Sequence, residues 1–222
     1  MDIINIPTEQ TTAATDAILA VMAVAAVVYL QQNTNKDRWK ANIWTGVFAF
    51  LALASALGAI AHGFVMSEAL QAMFWQPLYL SLGVLIALFV VGALYDMFGK
   101  NTAKKGLPIL VGIGLAFFGV TLVWPDNFLV FIIYELAAML FALGGYTWLA
   151  FKGRLAGAWL MVGGIFMTIF AAGVQATRLF SFTFIWQFDH NGVYHLLQMV
   201  GLALLVASLH KALSALPAPQ GE

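Results

Sequence analysis

Residues 77–98 read PLYLSLGVLIALFVVGALYDMF and contain a single charged side chain, Asp96. An α-helix needs about 20 predominantly apolar residues to cross the hydrocarbon core of a bilayer, so this run is long enough to span a membrane. Apolar and polar residues do not alternate along it, which argues against a strand of a transmembrane barrel. The run therefore predicts a transmembrane helix.

The rest of the chain has the same apolar character. Of its 222 residues, 62% are hydrophobic and 9% are charged. A soluble domain carries about 25% charged residues, so this composition excludes a water-soluble globular protein. The segments long enough to span a membrane are residues 12–31, 42–65, 77–98, 107–124, 128–150, 155–176 and 192–213. We predict an all-α, polytopic membrane protein whose residues 1–222 form one domain of seven transmembrane helices.

The basic residues predict how the chain is oriented in the membrane. Its formal net charge of zero argues against nucleic acid as a partner. On one side of a seven-span arrangement lie Lys36, Arg38, Lys40, Lys100, Lys104, Lys105, Lys152, Arg154 and Lys211. The other side has only Arg178. Because positively charged loops stay in the cytoplasm, we expect the N-terminus outside and the C-terminus in the cytoplasm, in a bacterial inner membrane.

Several predicted helices carry polar residues in the half of the membrane that faces outside. These residues are Asp16, His62, Glu135, Gln175, His195 and Gln198. Polar side chains within a bilayer are energetically costly and by default indicate a functional site. Their shared depth predicts one polar pocket, open towards the outside and surrounded by membrane lipids.

Structural interpretations of these residues stay open. Asp16 fits the first turn of its helix, where the helix dipole favours an acidic residue. Gln175 and Gln198 fit hydrogen bonds between helices. Glu135 is harder to explain, because it lies roughly 12 Å below the helix end within the apolar sequence FIIYELAAML. A partner, a proton or a metal must stabilise it there.

The stretch FDHNGVYHLLQMVGL, residues 188–202, brings polar residues to the start of the last helix. Asp189 and Asn191 are favourable N-cap residues, and we expect Asp189 to cap this helix. His190 and His195 lie five residues apart, which separates them by about 140° around a regular helix. Both histidines can therefore bind one ion only if the helix begins at Asn191 or Gly192 and His190 folds back from the loop.

Seven spans, with a histidine late in helix 2 and this histidine-containing stretch opening helix 7, resemble the CREST superfamily. That superfamily includes the alkaline ceramidases and the adiponectin and progestin receptors. The stretches "AHGFV", "WQPLYLSLGVLIALFVVGALYD" and "FDHNGVYHLLQMVGL" are similar in particular to a bacterial branch near it. The resemblance spans nearly the whole chain, but few specific residues carry it.

The resemblance implies a zinc site. Superfamily members bind zinc through one histidine of helix 2 and two histidines four residues apart on helix 7, with a nearby serine and aspartate. His62 resembles the helix 2 ligand and His195 the second helix 7 ligand. Gly58 stands at the serine position and Asn191 at the first helix 7 histidine, and the sequence MFWQPLYLSLG at the start of helix 3 has no aspartate. Two of five positions therefore match.

The sequence leaves the ligand set and the function open. His62, His190 and His195 are the candidate zinc ligands, and Glu135 or Asp16 can supply an oxygen ligand instead. One hypothesis is a zinc-dependent hydrolase that cleaves an amide or ester bond of a lipid-like substrate, with Glu135 as general base.

In that hydrolase Asp16 is the second candidate catalytic carboxylate, and Asn191, Gln175 and Gln198 are expected to contact the substrate or the ligands. The alternative is a non-enzymatic protein that uses the same pocket to bind a ligand or to handle protons or ions. A retinal protein is excluded because no lysine lies in the interior of helix 7.

Overall fold

A computed structural model describes residues 2–32, 37–125 and 128–215 of the chain. Within these residues the fold consists of seven long α-helices and one short antiparallel hairpin. The helices are α1 (Pro7–Gln32), α2 (Arg38–Gly63), α3 (Glu68–Phe98), α4 (Lys100–Val123), α5 (Phe128–Phe151), α6 (Ala158–Thr177) and α7 (His190–Ser214). The hairpin strands are β1 (Phe182–Thr183) and β2 (Gln187–Phe188). All seven helices are long and apolar enough to cross a membrane, which confirms the prediction of a multi-pass helical protein.

Six of the helices form a closed ring. Going round it, α1 packs on α2, α2 on α3, α3 on α5, α5 on α6, α6 on α7, and α7 returns to α1. Helix α4 lies outside the ring, mainly against α3. Gly83 of α3 and Gly114 of α4 allow this close approach, because a Cβ atom on either would lie within 2.6 Å of the other's carbonyl oxygen.

Two helices begin much earlier than the apolar pattern predicts. Helix α3 begins at Glu68 rather than at residue 77, because the side chain of Ser67 caps it by accepting a hydrogen bond from the Leu70 amide. Pro77 is accommodated inside α3. Helix α4 begins at Lys100 rather than at residue 107, since its charged first turns extend beyond the apolar run. The other helix ends lie within about five residues of the predicted bounds.

The two ends of the bundle differ in character. We call the end where α1, α3, α5 and α7 begin the N-terminal face, and the opposite end the C-terminal face. At the N-terminal face the first residues pair with the end of α2, through hydrogen bonds from the Ile4 amide to the Gly63 carbonyl and from the Val65 amide to the Asp2 carbonyl. Arg178 is the one Lys or Arg among the described residues at this face.

At the C-terminal face a buried ion pair joins three helices. The Lys40 ammonium lies 2.5 Å from Asp96 Oδ1, and both side chains are at most 5% exposed. The Tyr146 hydroxyl donates to the other Asp96 oxygen at 2.9 Å. Lys40 begins α2, Asp96 ends α3 and Tyr146 ends α5, so the network fixes these helix ends together. Such a pair is costly to break, because removing one partner leaves a buried charge uncompensated.

Candidate functional site

A cavity of 520 Å³ lies inside the ring of helices. The eight site residues that the sequence predicts all line it: Asp16, His62, Glu135, Gln175, His190, Asn191, His195 and Gln198. They belong to α1, α2, α5, α6 and α7 and lie towards the N-terminal face. The deeper wall is apolar and includes Phe48, Leu82, Phe89, Met139 and Leu205. The cavity is therefore polar at one end and apolar at the other.

His195 joins the first helix to the last. It is 9% exposed, and its Nδ1 lies 3.1 Å from the Thr15 hydroxyl oxygen, within hydrogen-bond distance. Its Nε2 lies 3.4 Å from Asp16 Oδ1. Asp16 itself is 5% exposed, so the structure places it inside the bundle and not in an interfacial turn. Both nitrogens of His195 thus face α1, which fixes the orientation of the ring.

Gly58 makes room for Asp16. A Cβ atom on Gly58 would lie 2.6 Å from Asp16 Oδ2, closer than any real contact. The absence of a side chain on α2 therefore lets the Asp16 carboxylate lie between α1 and α2, beside His195. The serine that the resemblance leads one to expect at this position would collide with Asp16.

His62 is held by a carboxylate that the sequence analysis did not single out. Its Nδ1 lies 2.7 Å from Oε2 of Glu9, in the first turn of α1. The His62 ring also packs edge-on against Trp75, with ring centroids 5.5 Å apart. Asp16 lies against Gly58, which is one turn before His62 on α2, and Asp16, His62 and His195 all line the cavity towards the N-terminal face. The three side chains thus form one cluster.

Glu135 belongs to a second polar cluster. Its side chain is 4% exposed, and its Oε2 has no hydrogen-bond partner among the residues that the structure describes. Tyr194 and Gln198, one turn apart on α7, line the cavity together with Glu135. The Thr168 hydroxyl donates to Gln198 Oε1 at 3.2 Å. This cluster connects α5, α6 and α7.

His190 lies at the mouth of the cavity. It is the first residue of α7, and its Nδ1 is 3.9 Å from Asp189 Oδ2. Asp189 caps the helix as predicted, accepting hydrogen bonds from the amides of Asn191 and Gly192. The Asn191 side-chain oxygen accepts from Gln175 Nε2 at 2.6 Å. Helix α7 thus begins before Asn191, and the fold-back of His190 that joint ligation requires is not present.

The chain belongs to the family of unknown function DUF6962. The match covers residues 11–214, which include all seven helices apart from the first residues of α1. No curated protein and no solved structure shows significant similarity to this chain.

The matched region contains every described residue that lines the cavity. Glu9, which holds His62, lies just before the matched region.

The donor set fits a zinc ion only in part. Asp16 and His195 present an oxygen and a nitrogen 3.4 Å apart, and His62 is oriented through Nδ1 by Glu9, as metal-binding histidines are by carboxylates. Within residues 2–32, 37–125 and 128–215, however, no three His, Asp or Glu side chains converge closely enough to hold a metal. The described arrangement therefore supplies a pair of ligands rather than a complete site.

Sequence reasoning found the residues of the cavity but missed their partners. Thr15 and Glu9 were overlooked because threonine and glutamate in the first turns of a helix also fit an ordinary helix start. Tyr194 was overlooked because tyrosine is common near membrane interfaces. Glu9 lies seven residues before Asp16 and therefore on nearly the same helix face, and Thr15 is next to Asp16. This spacing could have indicated that the three polar side chains face the same cavity.

We expect Gly58→Ala to destabilise the protein through Asp16. The added methyl group overpacks the α1–α2 contact, which typically costs about 1–3 kcal/mol. The measurement is the free energy of unfolding from denaturant titrations in detergent micelles. Gly119→Ala, where a Cβ meets nothing within 4 Å, is the control for helix propensity.

Combining Gly58→Ala with Asp16→Ala identifies the cause. If the methyl group acts on the carboxylate, the double variant loses less stability than the sum of the single variants, by at least about 0.5 kcal/mol. Strictly additive losses would contradict the described position of Asp16.

Proposed function

We propose that this protein binds a single-chain amphiphile in the cavity, with its polar head between the two polar clusters and its chain against the deeper apolar wall. The division of one cavity into a polar and an apolar end carries this proposal. Its volume of 520 Å³ lies within the range of about 300–1,000 Å³ typical of small-molecule sites. An apolar wall without polar groups suits a hydrocarbon chain, because no hydrogen bond is left unmade.

The charge distribution supports an orientation with the N-terminal face outside. Lys40, Lys104, Lys152 and Arg154 are among the basic residues at the C-terminal face, and Arg178 is at the other. By the positive-inside rule the C-terminal face would lie in the cytoplasm. The resemblance to a bacterial branch suggests that the membrane is a bacterial inner membrane. The cavity would open to the outer leaflet, from which an amphiphile is drawn.

The segment from residue 179 to residue 188 supports entry from that leaflet. Its most exposed apolar side chains are Leu179, Phe184, Ile185 and Trp186, each at least 64% exposed. The segment is held against α1 and α7, because the Thr11 hydroxyl donates to the Gln187 carbonyl and Asp189 caps α7. An apolar hairpin at the membrane surface beside the mouth gives an amphiphile a continuous apolar path.

Ala54→Phe is expected to abolish binding. Ala54 is 4% exposed and lines the cavity, so a phenyl ring there fills the space for the chain. Ala56→Phe, on the exposed side of the same helix, is the matched control. Native mass spectrometry of protein purified in a mild detergent should show a copurifying amphiphile with the wild type and the control only. Equal retention by Ala54→Phe would show that the molecule binds elsewhere.

A zinc-dependent hydrolase that acts on lipid amides or esters is the second candidate. The Asp16–His195 pair favours this candidate. The Thr15 hydroxyl fixes the orientation of the His195 ring, as hydrogen-bonding partners do for histidines that act as general bases or metal ligands. Zinc, if bound, would supply Lewis-acid catalysis and an activated water. Asp16, His62 and His195 would hold it once His62 approached the pair.

Elemental analysis separates the two candidates. The hydrolase requires about one zinc per chain after chelator-free purification, lost in His195→Ala and Asp16→Ala. His210→Ala is the control, because His210 hydrogen bonds Tyr29 at the C-terminal face, far from the cluster. Zinc with this pattern calls for a screen of lipid amides and esters. Wild-type protein without zinc would reject the metal-dependent hydrolase and leave the binding function.

A further inference from the structure

Glu135 is a buried acid that forms no ion pair with any residue that the structure describes. It lies on α5 within the cavity wall, 4% exposed, and its Oε2 makes no hydrogen bond to any described residue. Burying a carboxylate without a partner is costly, so such groups in native proteins are either paired or protonated. An acceptor that lines a ligand cavity and lacks a partner points to a donor on the ligand.

The basic groups of the cavity do not serve Glu135. Arg178 is the one Lys or Arg among the described lining residues, and it lies at the mouth beyond the end of α6. His62 is engaged by Glu9, and His195 by Thr15 and Asp16. Glu135 is therefore left without a cationic partner among the described residues that line the cavity.

The side chains near Glu135 in the cavity are neutral and offer hydrogen-bond acceptors. Tyr194 and Gln198 line the same cavity as Glu135, and the Gln198 side-chain oxygen already accepts from Thr168. Carbonyl and hydroxyl oxygens each offer two lone pairs, so further acceptor capacity remains. A primary ammonium group has three N–H donors and a positive charge, which matches a carboxylate flanked by neutral acceptors.

We propose that Glu135 selects a protonated amine, so that the amphiphile bound by this protein is a long-chain amine. This inference rests on the proposed binding function and specifies its ligand. The ammonium pairs with the Glu135 carboxylate, and the chain extends past Met139 towards Phe89 and Leu205. A long-chain carboxylate is rejected, because its head would meet buried acids.

Three probes of equal chain length test the selectivity: dodecylamine, dodecanol and dodecanoate. Their dissociation constants are measured by isothermal titration with protein in lipid nanodiscs, with empty nanodiscs subtracted for partitioning. The wild type should bind dodecylamine at least about tenfold more tightly than dodecanol, as a charge-assisted hydrogen bond requires, and dodecanoate not at all. Glu135→Gln should lose the preference for the amine, so that its dissociation constants for dodecylamine and dodecanol become equal.

Two control variants separate the effect of the charge at Glu135 from the effect of its position. Glu68→Gln removes an exposed acid at the start of α3 and should retain the amine preference. Glu135→Asp keeps the charge and should retain part of the preference for the amine. Equal affinity of the wild type for the amine and the alcohol, or an amine preference that survives in Glu135→Gln, overturns the amine site and leaves the binding function intact. Failure of all three probes to bind the wild type contradicts the binding function itself.

Discussion

The contact of His195 with Asp16 and Thr15 is the constraint on which the rest of the structure depends. Hydrocarbon offers polar side chains no water, so they must find partners inside the bundle. Because α1 and α7 are the first and last helices, their polar contact closes the ring and creates the cavity. Gly58 completes the junction, since it admits the Asp16 carboxylate between α1 and α2.

The opposite end of the bundle is closed by different chemistry. The ion pair of Lys40 with Asp96 and the hydrogen bond from Tyr146 hold α2, α3 and α5 together, and none of these residues lines the cavity. Apolar side chains such as Phe89 separate the two polar regions. This layer favours a site that opens on one face, and it argues against a polar path through the membrane.

The apolar pattern was sufficient to predict seven helices and the residues of the cavity, because a polar side chain in a membrane helix has to face inwards. It could not predict which side chains meet. The pairing of Glu9 with His62, or of Lys40 with Asp96, depends on the order and rotation of the helices, which hydropathy does not encode. The first turns of α3 were missed because the Ser67 cap and polar residues extend the helix beyond its apolar run.

The central claim is that the cavity holds a hydrocarbon chain, and photo-crosslinking tests it most directly. A long-chain amphiphile with a diazirine near its chain end is photolysed with the protein in nanodiscs, and the modified residues are mapped by mass spectrometry. The account predicts adducts on the deep wall, at Phe89, Met139 or Leu205. Adducts confined to exposed residues of α4, such as Ile113 and Val123, would contradict it.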